Sequence, residues 1–216
     1  MDVSTNDSIP YRTVGGDSQA EYTDKKSRFI SRIAHVKTPE QAMDFVAKVK
    51  SEFHDAKHHV FAYRIYAGNT VKYTDDGEPQ RTAGLPTLNV ILHAGITDVV
   101  IVTTRYFGGT LLGTGGLVRA YTKAAQAALD NNKIVEFSKL VRVSIVIPYA
   151  FYDQLRHALL SMASVSLESS TFEENVALEC VVKQDYCDFF VEEVEILTHR
   201  NAIVTKSEVY QGVFNC

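Results

Sequence analysis

A row of β-branched residues, Val99-Val100-Ile101-Val102, runs within a few positions into five glycines in nine, Gly108 to Gly116. The row has no polar alternation, so the segment Asp98 to Thr104 reads as a strand covered on both faces. Glycine loses more freedom on folding than any other residue, so a cluster this dense requires positive φ or a close approach of backbone. Leu117 to Leu129 then has helical spacing. Gly108, Gly109, Gly113, Gly115 and Gly116 thus lie between a buried strand and a helix. There, free N–H groups and the helix N-terminus favour an anion. Arg105 and Arg119 flank the run with fixed charge and forked donors. The competing reading is a tight strand-to-helix crossing packed on a neighbouring domain. A phosphate loop of the Walker kind would need Gly-Lys-Ser/Thr, and the dinucleotide fingerprint needs glycine where Val118 stands.

Upstream, the opening dozen residues read as a frayed arm, and Asp24 to Val36, with imperfect alternation, as a strand. Thr38-Pro39-Glu40-Gln41 is a helix start, followed by Ala42, Phe45, Val46, Val49 and Phe53 on one face. Val60 to Tyr66 and Val71 to Tyr73 form a strand pair, and Thr82 to Leu92 a short helix entered at Pro86. Asp130-Asn131-Asn132-Lys133 breaks the pattern. Domains are therefore expected over 1–133 and 134–216, since 216 residues suit two modest cores. After the break come a strand (140–147), a helix (149–162), strands (165–171 and 176–182), a helix (186–198) and a strand (202–210). That βαββαβ order is ferredoxin-like. The fold class is α+β, with two α/β-sandwich domains.

Charge divides with the domains. Through Val135 there are 16 Lys and Arg against 14 Asp and Glu, a net of +2; from Glu136 there are 6 against 12, a net of −6. A polyanion would go to the first part. Cys180, Cys187 and Cys216 are odd in number and never spaced C-x-x-C, as free thiols in a reducing compartment would be. No apolar stretch approaches the ~20 residues that span a bilayer, and the N-terminus lacks a signal peptide's pattern. The expected location is cytoplasmic, with no membrane partner.

Asp75-Asp76-Gly77-Glu78-Pro79 places three carboxylates in four residues. They could orient a cation, or lie solvated on a hairpin turn at Asp76-Gly77. His54, Asp55 and His58, with Arg64, offer general acid–base equipment or simply a helix end. No metal site is expected, since paired ligands are missing, and no cofactor. The motifs G-x-S-x-G and His-Glu-x-x-His are absent, as is the aromatic RNA-recognition signature.

Taken together, His54-x-Ala56-x-His58-x4-Tyr63-Arg64, Asp75-Asp76-Gly77-Glu78-Pro79-x-x-Thr82-Ala83-Gly84-x-Pro86, and Thr104-Arg105-Tyr106-Phe107-Gly108-Gly109 through Gly113-x-Gly115-Gly116-Leu117-Val118-Arg119-Ala120-Tyr121 resemble the IMPACT family in its bacterial, YigZ-like branch. Ser27-Arg28-Phe29-Ile30 matches the opening strand. The resemblance covers roughly the first 130 residues. It implies a first domain similar to domain IV of elongation factor G and to a ribosomal-protein domain. It implies a second domain similar to that factor's last domain. It also implies a link to translation, since eukaryotic members regulate initiation through a protein partner. One departure is Gln80-Arg81, where the family has a small residue and glycine.

The leading expectation is a translation-associated regulatory binding protein. Arg64, Arg105, Arg119 and the glycine loop would contact RNA or ribosomal surface, with Asp75, Asp76 and Glu78 supporting the loop. The alternatives are a regulator acting through protein contacts on the acidic second domain, and an enzyme on a small anionic substrate. The balance leans away from an enzyme.

Overall fold

The computed structural model describes residues 10–214, and the chain forms two compact units, 1–135 and 136–216. Of the segment read as a frayed arm, residues 1–9 lie outside the described residues, as does Cys216. Tyr11 and Arg12 instead begin an ordered strand, β1 (Tyr11–Val14). The Arg12 carbonyl accepts from the Thr97 N–H at 2.9 Å, and the Tyr11 hydroxyl donates to the buried Asp98 carboxylate. The Tyr11 ring stacks on Tyr66 with centroids 4.5 Å apart. An aromatic stack and a buried acceptor outweigh the fraying that the polar sequence implied.

In the first unit, β2 (Ser18–Asp24), β3 (Ser27–His35), β4 (His58–Ile65), β5 (Thr70–Thr74) and β6 (Val99–Tyr106) build one antiparallel sheet in the order β2-β3-β6-β4-β5. Strand β6 is central and buried from Val99 to Arg105, as a row without polar alternation requires. Helix α1 (Pro39–Glu52) covers one face through Ala42, Val46 and Val49 against Val100 and Val102. Thr38 caps it by accepting from the Gln41 N–H at 3.2 Å, and Gln41 reaches back to the Lys37 N–H at 2.7 Å. These are the reciprocal bonds of a capping box, shifted by one residue.

The other face carries α2 (Gly84–His93) and α3 (Thr114–Asp130). Leu88, Ile91, Ala125 and Ala128 pack there on Ile33, Val99 and Ile101. Helix α2 starts inside the expected 82–92 segment, ahead of Pro86, and α3 begins three residues earlier than its hydrophobic spacing indicates. Asp75 caps α2 from nine residues upstream, and α3 takes Gly115 and Gly116 into its first turn.

The second unit follows β7 (Ile134–Ile147), α4 (Tyr152–Ser161), β8 (Val165–Phe172), β9 (Val176–Lys183), α5 (Cys187–Leu197), β10 (Ile203–Lys206) and β11 (Tyr210–Phe214). Its strands run β8-β9-β7, with β10 and β11 both antiparallel on β7. Both helices bury Leu155, Leu159, Phe190 and Val194 against one sheet face. The final strand expected over 202–210 is two strands. At the break, the Ser207 N–H donates to the Arg142 carbonyl and its hydroxyl accepts from the Arg142 N–H. That side-chain bond replaces a rung of the ladder and lets the chain step along β7. Cys180 and Cys187 are buried free thiols, and burial pushes the Cys180 thiol up to about 12. No helix among the described residues is long and apolar enough to cross a membrane.

Candidate functional site

Register decides which of the singled-out residues can meet. Arg28 pairs with Tyr106, and His58 with Arg105, so the start of β3, the end of β6 and the start of β4 share one end of the sheet. That end collects the Lys25-Lys26 hairpin, the segment around His54 to His58, the acidic turn and the glycine loop. Arg64 is not there. It pairs with Val99, six residues along β4 from His58, or about 20 Å at strand rise. Its guanidinium instead faces the Ile96 carbonyl at 3.4 Å. Grouping Arg64 with Arg105 and Arg119 is therefore corrected.

The acidic turn is not a solvated hairpin turn, because all three carboxylates are engaged. Asp75 accepts from the Arg81 N–H at 2.8 Å, the Ala83 N–H at 3.0 Å and the Gly84 N–H at 2.8 Å. It thereby neutralises the N-terminus of α2, which has no side-chain cap of its own. Asp76 accepts from the His59 N–H at 2.7 Å and lies 3.4 Å from the Lys50 ammonium. The Asp76 carbonyl bonds His58 Nδ1 at 2.8 Å.

Glu78 is sequestered, its side chain only 4% exposed. Arg105 Nη1 donates to both of its oxygens, at 2.7 and 2.9 Å, and the Tyr121 hydroxyl donates at 2.8 Å. Burial, with Glu78 alongside, holds that phenol well above the ordinary tyrosine range. Arg105 is itself 7% exposed and lies between the Phe29 and Phe107 rings, at 5.5 and 5.6 Å. Nη1 is taken by Glu78, while the buried Nε has no hydrogen-bond partner among the described residues. Through Nη1, Arg105 ties the end of β6 to the acidic turn. The acidic turn thus braces the strand from which the glycine loop departs.

The glycines divide by role. Gly108 donates to Ser27 Oγ at 3.1 Å, and a Cβ there would fall 2.0 Å from the Lys26 carbonyl carbon. Its amide is occupied and its missing side chain admits the β2–β3 hairpin, so it leaves the set of anion donors. Gly109 (φ 81°) and Gly113 (φ 73°) are exposed and have open space where a Cβ would stand. Gly113 occupies the N-cap of α3 at ψ 166°, where serine, threonine or aspartate would ordinarily supply an acceptor. The N–H groups of Thr114, Gly115 and Gly116 consequently have no acceptor among the described residues. Arg119, exposed on the next turn, brings a guanidinium nitrogen within 3.6 Å of where a Gly115 Cβ would sit.

Several residues at this end lie outside the candidate set read from the sequence. Lys25 and Lys26 are exposed and hold φ of 43° and 67° in a two-residue hairpin, a conformation that asparagine and glycine normally supply. Phe107 and Leu111 are 55% and 82% exposed on the loop. The only sequence signal for the hairpin is the period-two spacing on either side of Asp24-Lys25-Lys26-Ser27. His54 is exposed, and Asp55 accepts from the Tyr106 hydroxyl at 2.7 Å. His58 is held by the acidic turn through the Asp76 carbonyl. Among the described residues, no three His, Cys, Asp or Glu side chains are grouped to hold a metal ion.

Comparison with known proteins places this geometry in a family. Residues 25–129 match the model of the Impact N-terminal domain. The IMPACT family member YvyE of Bacillus subtilis is 34% identical over 201 residues, 92% of each chain. The chain belongs to the IMPACT family. Its relative YigZ of Escherichia coli is 44% identical over 108 residues, which is 49% of this chain and 53% of YigZ. Mammalian relatives match more narrowly. The rabbit (Oryctolagus cuniculus) protein named Protein IMPACT is 31% identical over 45% of this chain and 32% of its own length. A crystal structure of a hypothetical protein superposes with a TM-score of 0.58 at 29% identity, over 92% of this chain and 98% of the other. The family match spans the hairpin, the acidic turn, the glycine loop and all but the last residue of α3.

Proposed function

We propose that this IMPACT family member is a regulatory binding protein of the translation apparatus. It engages RNA, free or on the ribosomal surface, through the N-terminus of α3 and the hairpin beside it. The supporting observation is the uncapped helix start. The N–H groups of Thr114, Gly115 and Gly116 are left without acceptors behind a glycine N-cap, with Arg119 one turn on. Such donors, with the helix dipole behind them, suit a phosphate oxygen. Lys25, Lys26 and Lys123 add exposed positive charge, and Phe107 a half-exposed ring on which a base can stack. In this reading the first unit is similar to domain IV of elongation factor G. The second is ferredoxin-like, an architecture its βαββαβ order and strand sequence support. The cellular location is the cytoplasm, where translation takes place.

Contact with a protein partner is a second reading, favoured by the 82% exposure of Leu111 at the loop apex. One titration separates the two. Amide resonances of the full chain, followed during addition of a short single-stranded RNA, should shift most at Gly109 and Thr114 to Gly116. Shifts confined to other parts of the chain, or none at low salt, would reject the RNA reading.

A further inference from the structure

Pro148 leads the chain out of β7 at the end where the β8–β9 hairpin turns, because Ile147 and Phe172 both pair with Val176. Tyr149 and Phe172 are each 52% exposed there, with ring centroids 6.3 Å apart. Tyr152 meets Phe172 edge-on at 5.0 Å. These rings are not stray surface hydrophobes. The Tyr149 hydroxyl donates to the Glu173 carbonyl at 2.7 Å, which ties the first ring to the hairpin, and the Glu173 N–H donates to the Asn175 carbonyl. Exposed carboxylates adjoin the ring-bearing residues in sequence: Asp153 in the first turn of α4, and Glu173 and Glu174 at the hairpin tip, with one exposed cation, Arg156, further along α4. On the far flank the His199 ring lies 6.0 Å from Phe151, beside exposed Arg200.

We propose that this aromatic and acidic end of the second unit is a docking surface for an arginine-rich segment of a partner protein. The occupant follows from charge and shape together. The unit carries 12 Asp and Glu against 6 Lys and Arg, so it repels polyanions and attracts a basic chain. Fixed, half-exposed rings present negative π-faces to a cation. A planar guanidinium can stack on a ring while its fork meets a neighbouring carboxylate, which a lysine ammonium cannot do. The surface belongs to the other unit from the α3 N-terminus, and its argument uses none of the same residues, so it stands or falls without the RNA reading.

Calorimetric titration of the full chain with arginine-rich and lysine-rich peptides of equal length and charge tests it. The arginine peptide should bind several-fold more tightly. Replacing Tyr149→Leu and Phe172→Leu together, which keeps apolar bulk, should weaken it by about fivefold or more and erase the preference for arginine. Glu173→Gln with Glu174→Gln should weaken both peptides, and circular dichroism confirms that each variant is folded. The proposal is overturned if neither peptide binds, if the leucine pair changes nothing, or if the peptide shifts amides around Glu192 and Glu195 of α5 instead. It also fails if single-stranded RNA, rather than peptide, occupies the same rings.

Discussion

Arg105 and Arg119 flank the same glycines yet do opposite work. Arg105 is buried against Glu78, which also takes the Tyr121 hydroxyl. Removing one partner of such a pair leaves an uncompensated buried charge, at a cost of about 3–5 kcal/mol. Arg105→Ala should therefore lower the unfolding midpoint severely, with any loss of RNA affinity following from lost structure. Arg119→Ala, at an exposed position, should change stability by less than about 0.5 kcal/mol while weakening RNA binding. Denaturant unfolding beside a binding isotherm distinguishes the two. Equal stability losses would contradict the division of roles. The distinction escapes the sequence because Glu78, Arg105 and Tyr121 are far apart along the chain. An arginine at the end of an apolar row looks the same whether it faces a carboxylate or water.

At the scale of elements, the legible parts are those whose signals are local. Helix α1 announces itself through Thr38, Pro39 and Gln41, and β6 through an unbroken β-branched row. The start of α3 is less legible, because glycine at the N-cap gives no capping signal and the helix enters through Gly115-Gly116. The role of Asp75 is hidden for another reason: the helix it caps starts nine residues downstream, outside any local window. The IMPACT motifs locate the glycine loop, but not the separate duties of its members. Those duties are open to test. Gly108→Ala drives a Cβ into the Lys26 backbone and should cost at least about 3 kcal/mol. Gly113→Ala meets open space, and its penalty is that of a glycine-only φ/ψ region, about 1–3 kcal/mol. Thermal unfolding should rank Gly108→Ala as clearly the more damaging; the reverse order would put the close approach at the wrong glycine.

For the whole molecule, charge and architecture point the same way. The unit with net +2 holds the uncapped helix, the two exposed hairpin lysines and Arg119, while the unit with net −6 holds the ringed acidic surface. The proposed phosphate-binding face and the proposed peptide-binding face thus belong to different units. The first of these faces is the central claim, and the salt dependence of RNA affinity tests it most directly. With Lys25, Lys26 and Arg119 on phosphates, the slope of log affinity against log salt should be about −2 for single-stranded RNA. Lys26→Ala with Arg119→Ala should make it shallower by about 1.4. An unchanged slope and affinity in that double variant would contradict the claim.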